Sequence, residues 1–150
     1  MIHFRIATVD DLYKIVEMLA DDELGRMRER FETPLPDSYV RAFEAIDSDP
    51  NNELIVSCLD GEIVGVLQLT FTPYLTHQGS WRATIEGVRT ASSVRGEGMG
   101  SQLIRWAIER AKERGCHMVQ LTTDKKRDDA LRFYERLGFT ATHEGLKMKL

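Results

Sequence analysis

A dense group of glycines precedes an apolar helical pattern in the second half of this chain. The group is Arg95-Gly96-Glu97-Gly98-Met99-Gly100-Ser101. Glycine is costly in backbone entropy, so this density indicates a sharp bend or a close approach by a ligand. Free N–H groups at a helix start attract anions, and Arg95 adds a guanidinium that can bind phosphate through two hydrogen bonds. The segment predicts a site for a phosphate-bearing ligand.

Several classes of nucleotide-binding protein have a glycine-rich turn between a strand and a helix. A P-loop needs lysine before its serine or threonine, and here Gly100 is followed directly by Ser101 and Gln102. A dinucleotide-binding fold needs G-x-G-x-x-G in its first strand–helix unit, whereas this chain has G-x-G-x-G in its second half. Asp124 could act as the ribose-binding acid, so the dinucleotide alternative stays open.

The strand before the glycines has a break in its alternation. Its large or apolar residues change face by one position, with Trp81, Ala83 and Ile85 before the break and Val88 and Thr90 after it. A β-bulge at Glu86-Gly87 would produce this shift, re-aim side chains and leave backbone groups unpaired. The alternative is an imperfect alternation without a bulge, because strand patterns depend on context.

Hydrophobic periodicity predicts the elements that must position this segment. Strands are expected around Ile2–Ile6, at Glu53–Leu59 and Glu62–Phe71 on either side of an Asp60-Gly61 hairpin turn, at Trp81–Thr90, at His117–Thr122, and near Phe139–Thr142 and Leu146–Leu150. The segment Asp21–Pro36 is expected to be polar and irregular.

Four helices are expected from apolar residues at helical spacing. The first helix, after a capping box of Thr8 and Asp11, has Leu12, Ile15, Val16, Leu19 and Ala20, and the second has Tyr39, Phe43 and Ile46. The third has Leu103, Ile104, Ala107, Ile108 and Ala111 and ends at Gly115; the fourth has Ala130, Phe133, Tyr134 and Leu137 and ends at Gly138. This order predicts an α/β fold with a mixed sheet, in which an antiparallel meander is followed by strand-helix-strand-helix-strand.

Bulk composition narrows the class of protein. A chain of 150 residues that is 42% hydrophobic is expected to form one domain over residues 1–150. No apolar run approaches the ~20 residues that cross a bilayer, and the N-terminus lacks a signal-peptide core, so a cytoplasmic protein without a membrane partner is expected. A net charge of −4 argues against nucleic acid as a partner.

Neither the cysteines nor the histidines have the spacing of a metal site or a catalytic nucleophile, so no metal is expected. They are Cys58, Cys116, His3, His77, His117 and His143.

Two groups of residues resemble the landmarks of the GNAT superfamily of N-acetyltransferases. Arg95, Gly98 and Gly100 match the family motif of Arg or Gln, two residues, Gly, one residue, then Gly or Ala. The strand before them resembles the bulged fourth strand of the family. The second landmark is an Ala-x-x-Phe-Tyr helix that closes on Gly-Phe, matched by Ala130, Phe133, Tyr134, Gly138 and Phe139.

The resemblance implies a GNAT fold and acetyl-CoA as co-substrate. The pantetheine arm would bind to the main chains of Val88, Arg89 and Thr90, and the pyrophosphate to the segment from Arg95 to Ser101. Arg127 stands where the family often has asparagine, which puts a pantetheine contact in doubt. Lys126 and Arg127 could instead approach the cofactor phosphates, or they could form a solvated basic helix start.

In the family the acetyl group passes directly to an amine, without an acyl-enzyme. Glu86 is the only carboxylate between Trp81 and Thr90, so it is the candidate base, with solvent deprotonation of the amine as the competitor. Tyr134 occupies the position of the family's general acid; packing beside Phe133 is the alternative. Because the reference pKa is about 10 for tyrosine and about 8.5 for a thiol, Tyr134 is expected to act partly as a hydrogen-bond donor.

The acceptor is expected to be a small-molecule amine, with a protein or peptide amine, or a non-catalytic acyl-CoA sensor, as alternatives. Asp21, Asp22 and Glu23 could attract a cationic acceptor, although a solvated acidic turn is favoured. The loop Thr72–His77 could line the acceptor entrance. Family members often dimerise, so a homodimer is one state to consider.

Overall fold

The computed structural model describes residues 1–150 in two compact units, Met1–Gln120 and Leu121–Leu150. None of the helices has both the length and the apolar character needed to span a membrane.

The larger unit is built on a five-stranded sheet whose strands lie in chain order. They are β1 (Ile2–Ile6), β2 (Asn52–Leu59), β3 (Glu62–Pro73), β4 (Trp81–Thr90) and β5 (Cys116–Gln120). The first four are antiparallel neighbours, and β5 runs parallel to β4. A parallel pair requires a crossover, which a helix supplies here. The predicted α/β class with a mixed sheet is therefore confirmed.

Six helical segments accompany the strands. They are α1 (Leu12–Ala20), α2 (Glu23–Arg28), α3 (Asp37–Ser48), a single turn α4 (Thr76–Gly79), α5 (Met99–Glu113) and, in the smaller unit, α6 (Ala130–Arg136). The predicted capping box of Thr8 and Asp11 forms one 3-10 turn ahead of α1. Asp60 and Gly61 have φ values of 51° and 81° and make the predicted hairpin turn between β2 and β3.

The sheet is covered by helices on both faces. On one face α1 and α3 pack against alternate residues of β2 and β3, including Val56 and Val66. On the other face the buried stripe of α5, which contains Leu103, Ile104, Ala107 and Ala111, covers the intervening residues. Those residues are Ile55, Leu67, Leu69, Phe71 and Ile85, each at most 2% exposed.

A half-buried ion-pair cluster ties the C-terminal half of α5 to the start of β2. Glu53 accepts hydrogen bonds from Arg110 Nε at 2.8 Å, Arg110 Nη2 at 2.6 Å and Arg114 Nη1 at 3.2 Å. Arg114 also lies over the ring of Phe71, 4.0 Å from its centroid. These contacts fix the direction of the helix whose other end carries the glycine-rich turn.

The segment Asp21–Pro36, expected to be irregular, contains the helix α2. Asp22 caps it, with its Oδ1 accepting the Gly25 N–H at 2.5 Å, and Glu23 lies in its first turn. Negative charge at these positions stabilises a helix start. Periodicity did not reveal α2 because the helix has only six residues and one of its turns contains glycine.

The two strands expected near Phe139–Thr142 and Leu146–Leu150 are not formed, so the final strand of the predicted order is wrong. Residues 139–150 belong to no helix or strand. Leu146 and Met148, which would form the apolar side of such a strand, are 93% and 86% exposed. An alternating pattern stabilises a strand only where a neighbouring strand accepts its hydrogen bonds and a core covers its apolar side.

Candidate functional site

The predicted bulge is present in β4 at the expected position. Gln68 of β3 pairs with Glu86, and Val66 pairs with Arg89, so Leu67 alone lies opposite Gly87 and Val88. Gly87 has φ of 63°, a conformation that side-chain-bearing residues rarely adopt. The extra residue confirms the bulge. After it, the alternation of β4 side chains between the two faces of the sheet is shifted by one residue.

Beyond the middle of β4, one edge of the strand has no neighbouring strand. β5 pairs with β4 only from Trp81 to Thr84. Residues 85–90 therefore have a strand neighbour on the β3 side alone. Val88, Arg89 and Thr90, the predicted pantetheine-binding residues, all lie on this open edge. Unpaired backbone groups at a sheet edge can bind an extended ligand as an added strand would bind.

The glycine-rich turn lies between this edge and α5. Gly96 and Gly98 have φ of 85° and 78°, and an added Cβ at either would meet no atom within 4 Å. Gly98 is the N-cap of α5, so Met99, Gly100 and Ser101 form its first turn, where N–H groups have no intrahelical acceptor. The backbone thus presents several N–H donors beside an open surface, which fits the chemistry of a pyrophosphate.

Arg95 and Arg89 are directed toward the acidic turn that follows α1. Arg95 Nη2 donates to the carbonyl oxygen of Asp21 at 3.0 Å and lies 3.5 Å from its carboxylate. Arg89 Nε lies 3.6 Å from Asp22 Oδ2, and the Arg89 side chain is 11% exposed. The acidic residues therefore neutralise two arginines of the site and cap α2, and these roles account for Asp21 and Asp22 without a cationic acceptor.

The candidate base, Glu86, is exposed on β4 immediately before the bulge. Alternation along β4 places Glu86 on the same face as Thr84 and Arg82. The next residue, Gly87, begins the bulge, and the open strand edge continues past it. Glu86 and the predicted pantetheine-binding backbone therefore lie side by side in β4.

Pattern reasoning missed a group of polar side chains on this same face of the sheet. We name Thr70, Arg82, Thr84, Glu86 and Gln120 the polar face. Arg82 Nη1 donates to Gln120 Oε1 at 3.3 Å, and Gln120 Nε2 donates to Thr84 Oγ1 at 3.2 Å. Thr70 pairs with Thr84 across β3 and β4. The signal was available, since every second residue of β4 before the bulge is polar from Arg82 to Glu86.

The loop expected to line the acceptor entrance is a tight turn. β3 extends to Pro73, and the Tyr74 N–H donates to the Ser80 carbonyl at 2.9 Å. The ring of Tyr74 lies beneath the Arg82 guanidinium, 4.4 Å away, whereas Leu75 is 98% exposed. Of the loop residues, Tyr74 contacts Arg82 of the polar face, and Thr72 pairs with Arg82 across β3 and β4.

In the smaller unit, Tyr134 lies on α6 between two other rings. Its ring makes edge contacts with Phe133 at 5.1 Å and Phe139 at 5.8 Å between centroids. Arg127 lies in the turn before α6, where its N–H donates to the Asp124 carbonyl at 2.9 Å and its carbonyl accepts the Ala130 N–H at 3.2 Å. Asp124 therefore shapes this turn through its carbonyl and through its carboxylate, whose Oδ1 accepts the Lys126 N–H at 2.9 Å.

The thiols are at least partly buried, and two of the histidines lie near the start of β4. Cys58 is buried in the core, and burial raises the pKa of the Cys116 thiol, which disfavours the thiolate form. His77 and His117 lie with ring centroids 5.4 Å apart, and His117 Nδ1 is 2.9 Å from the Trp81 carbonyl oxygen. No group of three or more histidine, cysteine or carboxylate side chains converges on a point where a metal ion could bind.

Comparison with known proteins identifies the family of this chain. The model of the acetyltransferase (GNAT) family matches residues 16–139. The aminoalkylphosphonate N-acetyltransferase of Salmonella typhimurium is 31% identical over 141 residues, which cover 94% of this chain and 84% of that protein. A crystal structure described as a transcriptional regulator from Bacillus halodurans is 71% identical, with a TM-score of 0.97 over 100% of both chains. The crystal structure of an acetyltransferase of Trypanosoma brucei is 28% identical, with a TM-score of 0.79 over 100% of both chains.

Proposed function

Since this chain belongs to the acetyltransferase (GNAT) family and is an acetyl-CoA-dependent acyltransferase, we propose that it acetylates the primary amine of a small molecule. The observation that carries the proposal is the bulged strand β4 with its open edge, next to the glycine-rich start of α5. The open edge of β4 suits the extended, amide-containing pantetheine arm, and the start of α5 suits the pyrophosphate.

Acetyl-CoA, when bound, supplies the activated acyl group as a thioester. The main chains of Val88, Arg89 and Thr90 would hold the pantetheine arm, and the segment from Arg95 to Ser101 the pyrophosphate. Open space around Gly87, Gly96 and Gly98 supports this assignment, because a ligand can approach the backbone there. Arg95 would have to share its guanidinium between Asp21 and a phosphate. Arg127 is proposed as a further phosphate contact.

The transfer requires a neutral amine, because an ammonium group has no lone pair for attack on the thioester carbonyl. Glu86 is proposed to accept the amine proton, directly or through a water molecule. The new C–N bond forms as the C–S bond breaks, and the thiolate of CoA leaves. Tyr134 is proposed to donate a hydrogen bond, and in part its proton, to that thiolate. No covalent enzyme intermediate is needed, in agreement with the buried Cys58 and the raised pKa of Cys116.

A small acceptor is favoured over a protein because the Salmonella relative, which covers nearly the whole chain, acts on an aminoalkylphosphonate by its name. We propose that the acceptor lies against the polar face, on the Glu86 side of β4. We also propose that the protein is cytoplasmic, where acetyl-CoA and small amines are both available.

Two measurements test the proposal. Calorimetric titration should show acetyl-CoA binding, and absence of binding at millimolar ligand would refute the site. A screen of primary amines with thiol detection should then show amine-dependent release of CoA. If acetyl-CoA binds but no amine, small or peptidic, releases thiol, the chain would be an acyl-CoA sensor. A preference for peptide amines would instead indicate a protein acetyltransferase.

A further inference from the structure

Arg82 differs from four other half-buried arginines of the larger unit because no carboxylate pairs with it. Arg5, Arg89, Arg110 and Arg114 each lie within 4 Å of a carboxylate. Arg82 has only the neutral amide oxygen of Gln120 at 3.3 Å and the ring of Tyr74 at 4.4 Å. Its Nε atom is buried and has no hydrogen-bond partner. Buried cationic groups are normally paired, so an anion is the partner that this guanidinium lacks.

The surroundings of Arg82 are suited to a tetrahedral oxyanion. Thr84 and Gln120, beside it on the polar face, supply a hydroxyl and an amide that can donate hydrogen bonds. The contact between Gln120 and Arg82 holds the guanidinium against the sheet, while the Tyr74 ring supports its plane. Phosphonate and phosphate groups are bound well by such an arrangement of arginine with neutral donors.

The positions of Arg82 and Glu86 along β4 relate the proposed oxyanion site to the proposed acetyl transfer. Arg82, Thr84 and Glu86 point to the same face, and a strand advances about 3.3 Å per residue, so the Cα atoms of Arg82 and Glu86 lie about 13 Å apart. Both side chains are long and shorten that span. A small acceptor could thus place its amine near Glu86 and an anionic group near Arg82.

We propose that the acceptor is a small amine that also carries a phosphonate or phosphate group, and that Arg82 binds this group. The inference rests on the proposed acetyltransferase function and adds the substrate class. An acceptor without the oxyanion would leave the Arg82 guanidinium unpaired in the complex and would bind more weakly for that reason.

The test compares amines that differ in the anionic group, namely 2-aminoethylphosphonate, O-phosphoethanolamine and propylamine. The matched variants are Arg82→Gln, Arg82→Lys and, as control, Arg105→Gln, which removes an exposed charge from α5 on the opposite side of the sheet. In the wild type, kcat/KM for at least one anionic amine should exceed that for propylamine. Arg82→Gln should lower kcat/KM for that anionic amine by about 10- to 100-fold, as expected for a charge-assisted hydrogen bond, and should lower kcat/KM for propylamine by a much smaller factor.

Arg82→Lys keeps the charge but loses the planar guanidinium, so its kcat/KM for the anionic amine should lie between those of the wild type and Arg82→Gln. Arg105→Gln should behave as the wild type. A thermal unfolding curve of Arg82→Gln, followed by circular dichroism, reports on its fold independently. An equal loss on all three amines, or a wild type that favours propylamine, would overturn the assignment of Arg82 and leave the acetyltransferase function intact.

If no amine is acetylated, the proposed function fails, and a binding measurement still decides the role of Arg82. Calorimetric titration of 2-aminoethylphosphonate and O-phosphoethanolamine into the wild type with CoA present should show binding that Arg82→Gln abolishes. Absence of binding to the wild type would refute the oxyanion site.

Discussion

Glu53→Gln tests whether a buried carboxylate anchors the helix that carries the glycine-rich turn. Glu53 is 11% exposed and accepts three hydrogen bonds from Arg110 and Arg114, whose side chains are 29% and 25% exposed. Glutamine has nearly the same shape, but its amide group would place N–H donors against the guanidinium groups. The substitution therefore removes the charge and leaves two arginines without a full partner.

The expected loss of unfolding free energy follows from this geometry. Breaking a buried ion pair by removing one partner costs about 3–5 kcal/mol. Since both arginines still reach solvent, the lower end applies, and we expect about 3 kcal/mol. For a domain of this size, 1 kcal/mol lowers Tm by about 2–4 °C, so Glu53→Gln should melt about 6–12 °C below the wild type.

The matched control is Glu113→Gln, because Glu113 pairs with the same Arg110 at 3.2 Å but is 66% exposed. Exposed pairs contribute about 0–1 kcal/mol, so this variant should melt within about 2–4 °C of the wild type. Thermal unfolding followed by circular dichroism measures both differences. If Glu53→Gln were no less stable than Glu113→Gln, the anchoring role of the cluster would be refuted.

The stability difference between the wild type and Glu53→Gln should depend on pH. Hydrogen bonds from Arg110 lower the pKa of Glu53 in the folded protein. The contribution of Glu53 is therefore complete above its unfolded pKa of about 4.3 and is lost as pH falls through the lower folded pKa. The stability difference between wild type and Glu53→Gln should accordingly shrink in acid, and a difference that grew below pH 4 would contradict this sign.

Three further predictions concern the site. Glu86→Gln should lower kcat by about 100-fold or more, while stability changes by less than about 0.5 kcal/mol because the residue is exposed; steady-state rates and melting curves check both. Tyr134→Phe should lower turnover with little change in acetyl-CoA affinity by calorimetry, and unaltered turnover would remove Tyr134 from the mechanism. Gly98 and Gly61 both have positive φ and open space around them, so Gly98→Ala and its control Gly61→Ala should each destabilise the folded protein by about 1–2 kcal/mol. Only Gly98→Ala should weaken acetyl-CoA binding.

Local patterns predicted most of the fold because each depends on residues close together in the chain. The Asp60-Gly61 turn, the stripe of α5 and the bulge at Glu86-Gly87 were all readable in this way, and the structure confirms them. The error at Leu146–Leu150 has the opposite cause, since a strand there would require a partner strand that no local pattern can specify.

Side-chain partners across the fold were not predictable. Asp21 and Asp22 follow α1 at positions where their charge opposes the helix dipole, and only the folded chain brings Arg95 and Arg89 to them from 74 and 67 residues away. Pairing across such distances depends on sheet register and helix packing, which are properties of the whole core. The helix α2 was missed for a different and local reason, because six residues that include a glycine are too few to show helical periodicity.

By itself, the sequence located the bulged strand and the glycine-rich helix start, which we propose as the acetyl-CoA site. The glycine spacing after a broken strand alternation restricts backbone conformation directly, so it identifies the strand edge and the helix start to which the family resemblance assigns acetyl-CoA. Only the tertiary structure decided which side chains form the polar face, against which we propose that the acceptor lies. It aligned Arg82, Thr84 and Glu86 with Gln120 of the parallel strand β5. It also paired Arg89 of β4 with Asp22 but brought no carboxylate to Arg82, because ion pairing depends on distances that only the packed fold sets.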